Sequence, residues 1–166
     1  MAKVLHLFRA PKRSAPMEEL TSAEVVKDAG LAGCAHARPG GKRQVLLVDA
    51  ETLGVFQLKP GITRENITTE GLDVNGLAVG QGLRLGEVEL EVSAVCDPCE
   101  QIEALRPGLQ AEMQGRRGML CRVLSGGRIR RGDAIEWREK GLTAETAGEN
   151  SLQVISQGGA AGDPDA

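Results

Sequence analysis

Two cysteines, Cys96 and Cys99, bracket Asp97 and Pro98 in this sequence. A C-x-x-C of this kind can work as a thiol–disulfide redox pair. Joined by Cys34 and His36, it would offer a four-ligand set to zinc. A third chemistry needs one thiolate alone. Asp97 is a good N-cap, Pro98 suits the first helical position, and Glu100 stands three residues after the cap, as in a capping box. Cys99 is then expected in the first turn of a helix, where unpaired amides and the positive end of the dipole favour a thiolate. The redox motif belongs near a βαβ pattern, which is absent here. The Cys34-Ala35-His36 spacing is not that of a zinc knuckle. Both cysteines also fit the ordinary role of small buried residues. The helix placement favours a working Cys99, with Cys96 at the end of a strand.

Other candidate groups are spread along the chain. His36 lies in a Gly-rich loop over residues 30–41 that also carries Cys34 and Arg38. A lone His is most often structural, but the glycines around it favour a ligand contact. Arg43, Arg64, Arg116 and Arg117 are candidates for an anion site, since Arg recognises phosphate and carboxylate through two parallel hydrogen bonds. Glu65 is expected to orient an Arg, and Asn66 to bond backbone or ligand. Arg128, Arg130 and Arg131 read as a solvated face. There is no P-loop and no G-x-G-x-x-G.

These groups need elements to hold them. Residues 88–95 alternate strictly, with Val88, Leu90, Val92 and Ala94 on one face and Glu89, Glu91 and Ser93 on the other, the period of a half-buried strand. Residues 3–8, 44–48, 83–85, 119–124 and 134–137 also read as strands. Asp49 caps a short helix over residues 50–55, and residues 109–114 suit one more helical turn. Residues 21–27 fit a helix start or a strand equally well. Ser125-Gly126-Gly127-Arg128 reads as a hairpin turn. Many short strands between glycine turns, with a few short helices, suggest a β-rich α+β, barrel-like fold. One domain is expected over residues 1–140, followed by a Gly-rich acidic tail over 141–166. That tail is expected to be disordered from residue 158, with residues 152–155 able to dock as a stray strand.

Composition narrows the classes. With 166 residues the chain can build a core without disulfide or metal, and with two Phe, one Trp and no Tyr that core must be aliphatic. Scarce aromatics and a net charge of -3 argue against binding nucleic acid or an anionic membrane. The start runs directly into a strand with no apolar signal region, so a cytoplasmic location is expected, where four cysteines are thiols or ligands rather than disulfides.

Several stretches together resemble the MOSC domain, the module at the carboxyl end of molybdenum-cofactor sulfurases that also occurs as small stand-alone proteins. Gly30-Leu31-Ala32-Gly33-Cys34-Ala35-His36-Ala37 resembles G-L-x-G-D-x-H-A, with Cys34 in place of the usual Asp. Arg43-Gln44-Val45-Leu46-Leu47 resembles R-Q-V-x-L. Pro60-Gly61 followed by Arg64-Glu65-Asn66-Ile67-Thr68 resembles P-G then x-E-N-[IL]-[TS]. Pro98-Cys99 falls on the family's P-C, and Gly118 through Gly132-Asp133 resembles its G…R-V-L…G-D ending.

The resemblance implies a MOSC-like β-barrel with Cys99 as the working cysteine. That residue either carries a persulfide sulfur from a cysteine desulfurase or ligates molybdenum. Arg43, Arg64, Arg116, Arg117 and Asn66 would hold the phosphate-bearing pterin of the molybdenum cofactor, with His36 and Glu65 handling protons or orienting neighbours. The activity implied is that of a sulfur transferase or of a molybdenum-dependent oxidoreductase component. A reductase role on N-hydroxylated compounds would need electron-transfer partners. A binding module without turnover and a zinc-stabilised domain are the other classes. No pyridoxal-phosphate domain is expected within this chain.

Overall fold

The structure, a computed structural model, describes residues 1–138. The tail from residue 141, with its expected stray strand and disorder, lies outside them. The described residues form eleven strands and three short α-helices, with a single 3-10 turn at Val74–Gly76. They are β1 (Lys3–Arg9), β2 (Glu18–Leu20), β3 (Ser22–Val26), β4 (Gly30–Leu31), β5 (Val45–Asp49), α1 (Ala50–Val55), β6 (Ile67–Glu70), β7 (Gly82–Leu85), β8 (Val88–Val95), α2 (Glu100–Leu105), α3 (Leu109–Glu112), β9 (Met119–Ser125), β10 (Gly127–Arg130) and β11 (Ile135–Arg138). One sheet of eight strands runs β11-β7-β8-β9-β5-β6-β1-β2, and a second of three runs β10-β3-β4.

The alternation in residues 88–95 produces the expected strand. Val88, Leu90 and Val92 are buried, while the acids between them are part-exposed. The continuous apolar run of β5 is buried along its whole length. Its Val45 and Leu47 face the core shared by the two sheets, where Ala23, Val25, Leu31 and Ile129 come from the smaller one. Its Leu46 and Val48 face the other way, packing with Leu53, Cys96 and Leu120. A strand apolar on both faces belongs in the middle of a sheet, and β5 lies between parallel β6 and antiparallel β9. Fully burying a side chain such as Leu47 is worth about 1.5–3 kcal/mol. The Asp49 cap also forms, accepting from the Thr52 amide at 3.0 Å.

Three expectations need correction. The sheet does not close into a barrel among the described residues. The edge of β1 opposite β6 is shared: Leu7, Phe8 and Arg9 pair with β2, while Val4 exchanges hydrogen bonds with Gly132 and Asp133. Only Lys3 and Ala134 bridge there, and β11 goes on to pair with β7. Residues 125–128 are not a hairpin turn, because β10 leaves the large sheet and pairs with β3. Where the sequence left helix and strand open, residues 22–26 form a strand.

The third correction concerns the site. Helix α2 begins two residues later than its cap signals imply, with Cys99 itself as N-cap in place of Asp97. The Cys96 amide still donates to the Gly118 carbonyl, so the chain leaves the sheet too late for Asp97 to cap. The Cys99 carbonyl receives the Ile102 and Glu103 amides. Glu103 reaches forward instead, accepting from the Gly108 and Gln110 amides at 2.8 and 3.0 Å at the start of α3. Those two bonds hold its carboxyl below the usual range.

Candidate functional site

A pocket of about 150 Å³ opens where the ends of β5, β8 and β9 meet the loop after β4 and the start of α2. Its floor is buried and includes Gln44, Leu46, Asn66, Cys96, Arg117 and Leu120. Arg38, Arg43 and Gln101 are exposed at the mouth, with His36 and Arg64 between. Four guanidinium groups line the pocket and no carboxylate does.

Arg117 is the central feature. It is only 5 % exposed. Its Nη2 donates to the Thr63 carbonyl at 2.8 Å, but Nε and Nη1 are buried without a partner. Leaving a charged donor unpaired in a desolvated place is costly, so these two groups are presented for an acceptor. Gly118 fixes the approach. Its φ is +112°, and a Cβ there would come within 2.8 Å of Val48 Cγ2. Only glycine lets this backbone close on β5 and carry Arg117 inward.

Arg64 contributes differently. It has a left-handed φ of 64°. Its Nη1 donates to the Ala15 carbonyl and its Nη2 to the Arg13 carbonyl, at 2.8 and 2.7 Å. It thereby holds the loop between β1 and β2 over the site, while its buried Nε has no partner. Gln44 positions the Gly-rich loop: its Nε2 donates to the Arg38 carbonyl and to Asp28, and its Oε1 accepts from the Val123 amide.

His36 is half-buried. Burial, then the charges of Arg64, Arg38 and Arg13, lower its pKa from the ordinary 6.5, so the ring is neutral at pH 7. Burial pushes the Cys96 thiol up, partly opposed by Arg117 and Arg43.

The expected site residues therefore divide. His36, Arg43, Arg64, Asn66 and Arg117 converge on the pocket. Arg116 does not. Its guanidinium sits over the Phe56 ring at 5.8 Å and lines no wall of this pocket. Neither does Glu65, which is fully buried and takes the Gly61 amide and the Thr63 and Thr68 hydroxyls at 2.6–2.8 Å. It ties a loop together and orients no Arg. Asn66 reaches the pocket wall, but its amide is committed to the Leu46 amide, the Phe8 carbonyl and the Cys34 thiol. Cys99 is exposed beside the pocket, near enough for its charge to act on Cys96. Of the two, it is Cys96 that lines the wall.

The sequence reading singles out none of Arg38, Gln44 and Gln101 as a site residue, and weighs Cys96 only as a redox or zinc-binding partner of Cys99. The glycines flanking Arg38 were the available signal. The zinc set does not assemble: Cys34 is turned into the core, accepting from the Ala10 amide at 3.3 Å, and among the described residues no three His, Cys, Asp or Glu side chains are grouped to hold a metal. All four cysteines are free thiols. Of the expected surface arginines, Arg128 pairs with Glu24 and Arg131 with Glu19.

Sequence comparison places this geometry in a family. The MOSC domain profile matches residues 40–136, and the chain belongs to the MOSC domain family. The fold is similar to that of the YuaD protein of Bacillus subtilis, with a TM-score of 0.71 and 21% identity over 82% of this chain and 94% of that one. It is similar to YiiM of Geobacillus stearothermophilus, with a TM-score of 0.71 and 18% identity over 96% and 87% of the two chains. It is also similar to YiiM of Escherichia coli, with a TM-score of 0.62 and 19% identity over 86% and 74%. At these identities the likeness is one of fold. No curated protein matches the sequence. Among the described residues no helix is long and apolar enough to cross a membrane.

Proposed function

We propose that this protein binds an anionic ligand of the molybdenum-cofactor type and carries sulfur for it as a persulfide on Cys99. The observation that carries this is the buried Arg117 with two unpartnered donors in a pocket that has four guanidinium groups and no acid. Those donors fit a phosphate or similar oxyanion, so the residues present suit the phosphate-bearing pterin. Arg117 and Arg64 would hold its charge from below, with Arg38 and Arg43 closing over it. When bound, that group supplies molybdenum redox chemistry.

Cys99 is suited to the sulfur step by exposure. Its thiolate attacks the outer sulfur of a persulfide on a cysteine desulfurase. The S–S bond of the donor breaks, and the donor's cysteine leaves as a thiolate. Cys96, on the pocket wall, is too buried to meet such a partner. His36, neutral at pH 7, accepts a proton as an anion enters. A thiolate ligand to molybdenum is the alternative use of Cys99.

Elemental analysis and intact mass of the protein from a host that makes the cofactor test this, on the wild type and Cys99→Ser. Sulfur added to Cys99, lost on reduction, is the expected result. Molybdenum with pterin in the wild type only would make Cys99 a metal ligand instead. Neither signal in folded protein would sink both roles.

A further inference from the structure

A second cavity, of about 590 Å³, shares a wall with the anion pocket. Arg64, Gln101 and Arg117 line both. Its surface is otherwise different in kind. Phe8, Met17, Pro60, Ile62, Ile102 and Leu105 give it an apolar lining, and Ile62 and Leu105 remain 44 % and 38 % exposed at its edges. No Asp or Glu lines it, while Lys59, Arg64 and Arg117 do. Its volume lies in the range of small-molecule sites, about 300–1,000 Å³.

The cleft is built to keep its shape. One lip is the loop of residues 59–64. Glu65 pins that loop through the Gly61 amide and the Thr63 hydroxyl, and Gly61 packs so closely on Phe8 that a Cβ would meet the ring at 2.8 Å. The other lip, residues 14–17, is joined to the first because the Arg64 guanidinium holds the Ala15, Arg13 and Lys12 carbonyls. Helix α2 supplies the third wall through Ile102 and Leu105. A preformed cleft loses little entropy on binding.

We propose that this cleft is a binding site for a small organic anion with an apolar body. The body lies between the residues 59–64 loop and α2, and the charged end reaches Arg117 at the shared wall. An apolar lining alone would accept any greasy molecule. The buried Arg117 lines both cavities and has two unpaired donors, Nε and Nη1, so one can serve the anion pocket while the other selects, in the cleft, a molecule that brings an acceptor. The shared wall sets that end beside whatever occupies the anion pocket, which makes the cleft the substrate side of the site. The substrate role rests on the reading under Proposed function; the binding site does not.

Calorimetric titration of the intact protein tests it, with octanoate and 2-naphthoate as probes and acetate and octan-1-ol as controls. Octanoate or 2-naphthoate is expected to bind at one site at least tenfold more tightly than either control, and the better of the two tells an aliphatic from an aromatic body. Leu105→Asp changes an exposed edge residue. It is expected to weaken the preferred probe at least tenfold and to leave sulfate binding in the anion pocket unchanged. Acetate binding as well as the longer acids, or an affinity within twofold after Leu105→Asp or Ile62→Asp, would overturn the cleft. So would the absence of binding. Sulfate binding that survives such a failure leaves the anion pocket standing, whereas loss of both removes both.

Discussion

Asn66 donates its Nδ2 to the Cys34 thiol at 3.4 Å, across the core from the Ala10 amide, which donates to the same sulfur at 3.3 Å. Cys34 stands where the resembled motif has Asp, and its sulfur takes the two donors an Asp carboxylate would take. Removing the acceptor leaves the buried Ala10 amide unpaired, since Asn66 keeps the Phe8 carbonyl. Cys34→Ala should cost about 1–3 kcal/mol of stability. Cys34→Asp restores an acceptor for both donors and should be the more stable of the two variants at neutral pH. Urea unfolding decides it; an Asp variant no better than Ala would mean that the thiol is held by packing alone.

Thiol labelling separates the four cysteines. Cys99 is exposed, whereas Cys34, Cys96 and Cys121 are buried, and burial raises the pKa of both Cys96 and Cys121. One fast alkylation at Cys99 is expected in the folded protein and four in denaturant. Labelling of Cys96 at an equal rate would show that the pocket wall opens readily.

Arg117→Met tests the anion pocket. It removes the charge and both free donors while keeping much of the volume. Sulfate affinity should fall by about 1.5–3 kcal/mol, the worth of hydrogen bonds to a charged group. Stability should change little or rise, because a desolvated charge is removed. Arg116→Met, over the Phe56 ring, should leave sulfate binding as it was. Calorimetry on the pair of variants reads the contrast, and equal losses would move the anion elsewhere.

The pH dependence follows from His36. Its pKa is lowered in the free protein, and an anion in the pocket favours the charged ring. Sulfate, which does not titrate in this range, should therefore bind more tightly as pH falls from 8 toward 5.5. Each unit by which the anion raises the His36 pKa is worth about tenfold at the acid limit. The slope should vanish in His36→Gln. Without ligand the sign reverses for stability. The unfolded chain binds the proton more readily, so His36 costs stability as pH falls through 6.5 toward its folded pKa.

Local patterns announced the pieces whose causes are local. The period of two gave β8, the apolar run gave β5, and Asp49 marked the start of α1. The start of α2 was misplaced because it depends on a distant group, the Gly118 carbonyl that still holds Cys96. The partner of β10 was illegible for the same reason. For the site, arginine chemistry singled out Arg43, Arg64 and Arg117. Sequence could not tell Arg117 from Arg116, because the two are neighbours in one loop and only the packing against Phe56 and Thr63 fixes which is inside. Glu65 looked like an orienting or proton-handling carboxylate, and its three donors became visible only in the fold.

His36, Arg64, Cys96 and Arg117 come from four separate loops, and each is held at the pocket only once the strands beside its loop are paired. This bears on the time course of folding. Contacts between distant segments form slowly, because loop closure must precede them. A refolding chain should regain most of its strand signal before it can hold sulfate. Until then the nascent protein has secondary structure but no ligand to protect it, and an early-added anion cannot act as a template.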